Sequence, residues 1–151
     1  MKKPLVILVI AALLIGVLVS VITASNNRIA AGLKDRLLRC PLPKRSELLD
    51  AASVAGKLTG AGNGMQYRGA ILVRTLLTEE ELLAYYQPAL EEDGLILYID
   101  SLASAEAFAD LLFPAAAGQE NVYQIMLFRN MPVGTETSFW EALLNCDLRG
   151  H

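Results

Sequence analysis

Eighteen consecutive residues without a charge, Leu5 to Ile22, constrain this chain more than any other feature. At a helical rise of about 1.5 Å per residue the run covers roughly 27 Å, close to the hydrocarbon thickness of a bilayer. Its one hydroxyl is Ser20, and two lysines precede it in the start Met1-Lys2-Lys3-Pro4. The pattern predicts an uncleaved transmembrane anchor over residues 5–22 behind a short tail of residues 1–4. The alternative is a cleaved signal peptide with Ala24 or Ser25 before the cut. A signal peptide, however, carries an apolar stretch of about 7–15 residues and small residues at its cleavage site, and Ile22 is large. A buried helix of a soluble protein would show a flanking polar face, which this run lacks. Nor does Cys40 read as a lipid-attachment site, since it follows Leu37-Leu38-Arg39 and lies far past the apolar run.

Lys2, Lys3 and the terminal amine argue for an N-terminus inside the cell, with residues 23–151 beyond the cytoplasm. Arg28, Lys34, Arg36 and Arg39 follow the run and pull the other way. The short lysine-bearing tail resembles a signal-anchor start, so the outside orientation is preferred. The expected location is a cell membrane crossed once, with the C-terminal domain extracytoplasmic.

Charge divides the rest. Residues 23–45 hold six basic groups against Asp35 alone, a net of +5, while residues 46–151 hold five basic groups against fifteen acids, a net of −10. An acidic domain repels phosphate backbones, which argues against nucleic acid as a partner. Membrane lipid is the expected partner, through residues 5–22 and the basic segment, which is attracted to anionic headgroups. The plainer alternative is that both charge sets are solvated faces. An envelope protein is the other candidate partner.

Ile29, Leu33 and Leu37 recur every four residues, so the basic segment reads as a helical stalk with one apolar stripe. A stripe this short suits packing on its own domain or on lipid better than a coiled coil. The stalk should stop before Pro41, because a residue preceding proline is pushed out of the α region. Cys40-Pro41-Leu42-Pro43 then reads as a stiff, extended joint. Residues 46–151 form the domain proper, about the size of one ordinary folding unit.

Within that domain, residues 47–58 read as a first strand. Tyr67 to Thr75 alternates as a second, with Arg68 and Arg74 on a wetter face. Thr78-Glu79-Glu80-Glu81 is a capping box opening a helix that Pro88 should end or kink near Gln87. The glutamate triplet is explained by helix-terminus electrostatics and not by a metal. Leu95 to Ile99 reads as a strand covered on both faces, Ser101 to Phe113 as a helix, and Pro114-Ala115-Ala116-Ala117-Gly118 as a loop. Val122 to Phe128 is a further strand and Ser138 to Leu144 a last helix. The expectation is an α+β fold: a mainly antiparallel sheet with helices on one face, preceded by one transmembrane helix and a helical stalk.

A search for chemistry finds little. The single histidine, His151, is the last residue, where a catalytic base is poorly held. The two cysteines, Cys40 and Cys146, have no metal-ligand spacing. Outside the cytoplasm they could form a disulfide worth about 4–5 kcal/mol by the chain-entropy account. The alternative is a buried apolar Cys146 and a free Cys40 thiol. No catalytic residue, metal or cofactor is expected.

The glycine segment Gly56 to Gly69 is the sharpest local signal. Ala51 stands where a phosphate loop needs glycine and Leu58 where it needs Ser or Thr, and Met65 spoils a dinucleotide fingerprint. What remains is an exposed turn between strands, Gly60 to Gly64, with Asn63-Gly64 as a hairpin signal. Asn63, Gln66, Tyr67 and Arg68 are the ligand-binding candidates, because they put amides, a phenol and a planar cation beside bare backbone. Tyr67 on the core face of its strand and Arg68 paired with a surface acid is the competing account.

Pro41-Leu42-Pro43, the Gly60–Tyr67 segment, Leu77 to Leu82 and the closing Asp147-Leu148-Arg149-Gly150-His151 resemble a group of small, N-terminally anchored, uncharacterised proteins of Gram-positive bacteria. The resemblance covers about half the domain and implies anchoring and bacterial origin, with no site attached. The function expected is a membrane-tethered binding or accessory domain at the cell envelope. A structural or interaction subunit acting through its stalk is the alternative, and an enzyme is the weakest reading.

Overall fold

The computed structural model describes residues 2–56, 58, 65–90, 94–103 and 112–131. Helix α1, Lys2–Arg39, is a single helix of 38 residues, about 57 Å long. Pro4 falls in its first turn, where the missing N–H is unneeded. The helix ends before Pro41, and Cys40 N–H closes the last turn on Leu37 O at 3.0 Å. Arg36 and Arg39 lie in that last turn, favourable for the helix dipole. Residues 4–18 are exposed on every side. From Ile22 onward one face is buried: Ile22, Asn26, Ala30, Leu33 and Leu37, at the three-and-four spacing of one side of a helix.

Beyond α1 come β1 (Glu47–Gly56), β2 (Met65–Arg74), α2 (Glu79–Leu90), β3 (Ile96–Ser101), a 3-10 turn at Pro114–Ala116 and β4 (Val122–Met131). The strands form a four-stranded sheet in the order β1-β2-β4-β3, every neighbouring pair antiparallel. This is the α+β fold expected. Leu33 and Leu37 of α1 and Leu82, Tyr86 and Leu90 of α2 share one core with Tyr67, Ile71 and Val73 of β2, so both helices cover the same face. On the opposite face Ala70, Leu72 and Met126 lie under Leu102, Phe113 and Ala116.

Several local expectations are met. Gly56 pairs with Gln66, so β1 and β2 are joined as a hairpin. Thr78 N–H donates to Glu81 Oε2 at 2.9 Å and Glu81 N–H to Thr78 Oγ1 at 3.3 Å, the reciprocal capping box. Hydrogen bonds to the Glu80 carboxylate, from its own backbone first and then from Thr78, hold its pKa below the usual range.

Other expectations are corrected. β2 has no wet face: every residue from Met65 to Val73 is buried, Arg68 included, and only Arg74 is exposed. It is a central strand covered on both sides. β3 is not covered on both faces. It lies at the end of the strand order, with Ile96 45% and Tyr98 44% exposed. α2 runs past Gln87 to Leu90 with Pro88 inside it, since burying Leu90 in the shared core offsets the lost hydrogen bond. Ser101 ends β3 and Phe113 precedes the 3-10 turn, so neither end of the helix expected there is helical; residues 104–111 between them lie outside the described residues. The helix expected at Ser138 to Leu144 lies outside them as well.

The apolar stripe of the basic segment packs on its own domain. Gly69 is the point of closest approach: a Cβ there would stand 2.8 Å from Leu33 Cβ and would collide with the Lys34 backbone nitrogen. Only glycine lets β2 come this near to the helix. Tyr67 lies against Asn26 and Gly69 against Leu33, so β2 and α1 run in the same sense.

Candidate functional site

Of the four ligand-binding candidates, Asn63 lies outside the described residues, as do Gly60 to Gly64. The other three are consecutive on β2 and alternate between faces, Tyr67 toward the helices and Gln66 and Arg68 away from them. All three are buried, at 3% exposure for Gln66, 0% for Tyr67 and 6% for Arg68. Gln66 Oε1 accepts from Leu58 N–H at 3.0 Å. The Tyr67 hydroxyl donates to Asn26 Oδ1 at 3.0 Å, and burial raises its pKa. The Arg68 guanidinium lies over the Phe128 ring at 5.7 Å, a cation–π contact, and Phe128 meets Tyr98 edge-on at 6.3 Å. These groups brace the end of the sheet that lies nearest the apolar half of α1. They do not converge on a common opening.

Cys40 is half-buried, and its thiol donates to Arg36 O at 3.6 Å. Cys146 lies outside the described residues. Beside Cys40, the Tyr86 hydroxyl is buried and has no hydrogen-bond partner among the described residues. Burial first, then the neighbouring Tyr85 and Cys40, push its pKa up to about 12.

The opposite end of the sheet carries a feature that sequence inspection does not suggest. A surface depression of about 420 Å³ is lined by Arg45, Glu47, Arg74, Thr75, Leu76, Glu120 and Asn121. Three separate segments build it: the turn entering β1, the end of β2 and the turn entering β4. Arg45 (φ 61°) and Asn121 (φ 58°) both adopt left-handed backbone, uncommon outside glycine and more so for arginine than for asparagine. Thr75 ties the segments together. Its N–H donates to Asn121 O at 2.9 Å, and its hydroxyl oxygen accepts from Leu77 N–H at 3.2 Å and meets the Ser46 hydroxyl at 2.9 Å.

Arg74 and Glu47 form an ion pair across the lip at 3.0 Å, both largely exposed and so contributing at most about 1 kcal/mol. The depression offers two guanidinium groups, two carboxylates, an amide and the 76%-exposed Leu76. That donor set suits a polar or zwitterionic contact such as a peptide segment. It holds no nucleophile–base pair, and among the described residues no group of three or more His, Cys, Asp or Glu could hold a metal.

No family model matches this chain, and no curated protein or solved structure matches it at a significant level.

Proposed function

We propose that this is a single-pass protein of the bacterial cell envelope whose α+β domain works outside the cytoplasm as a binding or accessory module. It has no catalytic role of its own in this reading. One observation carries the proposal. The helix that is long and apolar enough to cross a membrane, with mean hydropathy of 3.4 over its most apolar stretch, is the same helix that completes the domain's core. A fold built this way works where its anchor is.

Lipid is met by residues 5–22 and by Arg28. Arg36, Arg39, Lys44 and Arg45 do not reach the headgroups in this reading, because Arg36 already stands about 21 Å along the helix past Ile22. That exceeds the screening length of about 8 Å in physiological salt. The stripe from Asn26 to Leu37 is occupied by the domain's own sheet, which favours a binding module over a subunit acting through its stalk. The partner-facing surface is the depression around Arg45 and Asn121, at the end away from the anchor. The bacterial setting rests on the resemblance carried by Pro41 to Pro43 and Leu77 to Leu82.

The test has two parts. A reporter thiol, Leu76→Cys with Cys40→Ser and Cys146→Ser, should react with a membrane-impermeant maleimide on intact protoplasts. Reaction only after lysis would put the domain in the cytoplasm. Any partner recovered by co-purification from native membranes should be lost on combining Arg45→Asn, which tolerates the left-handed backbone, with Glu120→Ala. Full retention would remove the depression from the proposal.

A further inference from the structure

The apolar run and the folded domain have no spacer between them. Ile22, the last residue of the run, is completely buried, and Val19 one turn earlier is already partly covered. The register of β2 on α1 converts this into heights. Gly69 faces Leu33, about 17 Å along the helix past Ile22. Met65 lies four strand residues back toward the membrane, about 13 Å. Met65 therefore stands within about 10 Å of the end of the apolar run, even where strand and helix cross obliquely. The headgroup layer on each side of a bilayer is itself about 5–8 Å deep. Gly56, paired beside Gln66, belongs to the same end, and Ile96, level with Arg68 through Phe128, starts β3 about 10 Å higher.

We infer that this end of the sheet, marked by Gly56 and Met65, rests in the headgroup layer of the bilayer. The domain is thereby held upright in one orientation. The inference rests on the membrane-spanning reading of residues 5–22. Its occupant is the lipid surface, by continuity with the anchor. The chemistry near that surface fits it: Arg28 is exposed on the helix about 9 Å past Ile22, and Ile96 exposes apolar area just above, at the sheet edge. Seating comes from the missing spacer and not from charge, since the acids Glu91, Glu92 and Asp93 follow α2 in the sequence.

The experiment uses the full chain in lipid nanodiscs, with Cys40→Ser and Cys146→Ser and one nitroxide label at a time on Leu13→Cys, Arg28→Cys, Ile96→Cys or Leu76→Cys. A small fraction of the lipid carries nickel on its headgroup. Strong relaxation at Arg28 and Ile96 with severalfold weaker relaxation at Leu76 is the expected result, the same with and without anionic lipid. Equal relaxation at Ile96 and Leu76 would mean a domain lying on its side or standing clear, and would overturn the inference. So would a contrast that appears only with anionic lipid. A Leu13 label open to water would instead sink the membrane-spanning reading itself, a separate failure.

Discussion

From Pro4 to Leu18, helix α1 is exposed all round and turns apolar side chains outward in nearly every direction; from Ile22 to Leu37 it turns one face inward and leaves the rest to water. The backbone is continuous and the helical period unchanged, yet the two halves need different surroundings. A helix apolar all round belongs in an apolar setting, protein or lipid, and in lipid every polar group must be satisfied within the segment. Ser20 meets that demand by donating to Gly16 O at 2.8 Å, one turn back. The second half has an apolar stripe and needs one sheet face. The first half is defined by its surroundings and the second by Gly69, which lies 36 residues on from Leu33 in sequence.

The largest expected effect breaks that comparison outright. Gly69→Leu drives a side chain into the Leu33–Lys34 backbone, which cannot retreat, and Leu37→Ala opens a cavity in the shared core. Each should lower the domain's unfolding free energy by about 2–5 kcal/mol, while Val17→Ala in the exposed half leaves its Tm nearly unchanged. Comparable losses from Val17→Ala would show that the two halves are not held separately.

Tyr67→Phe comes next. It leaves the buried Asn26 amide oxygen without the phenol and should cost about 1–3 kcal/mol, with much of the loss recovered in the Asn26→Leu/Tyr67→Phe pair. A single variant as stable as the parent would remove Asn26 from the seam.

An alkaline titration sharpens the same point. Tyr86 has a folded-state pKa of about 12, above its ordinary value of 10.0, and Tyr67 is shifted in the same direction. A group raised on folding contributes stability that is complete below its unfolded pKa and lost as pH rises toward the folded one. Resistance to denaturant should therefore fall between about pH 10 and 12, and Tyr86→Phe should flatten part of that fall. An unchanged slope in that variant would refute the assignment.

The smallest expected effect is Thr78→Ala, which removes the capping box of α2, far from the seam, and should cost about 1 kcal/mol in a thermal melt. A loss as large as that of Leu37→Ala would mean that α2 and not α1 organises the helix face.

Much of this architecture was legible because its signals are local. The apolar run, the stop before Pro41, the capping box at Thr78 and the alternation of β2 each lie within eighteen residues or fewer. What was not legible depends on partners distant in sequence. Arg68 looked like the mark of a wet face, but the Phe128 ring and the packing around it cover the guanidinium. Leu95 to Ile99 reads as a buried strand, and nothing in those residues says that the segment takes the edge. Gln66, Tyr67 and Arg68 suggested a binding site by their density of polar groups, which the fold spends on Leu58, Asn26 and Phe128. The depression around Thr75 was invisible because three unrelated segments contribute to it and the left-handed backbone of Arg45 leaves no trace in composition.

The continuity of α1 also bears on how the protein comes to be made. The ribosome delivers residues 2–39 before the strands, and the costly step in making a helix is closing its first turns. A bilayer that receives residues 5–22 forms those turns before β1 or β2 exists. Residues 22–39 then only extend a helix already begun, and the hairpin arrives to find its template standing at the membrane surface. On the membrane-spanning reading, the lipid is then a scaffold for the birth of the domain as well as its address.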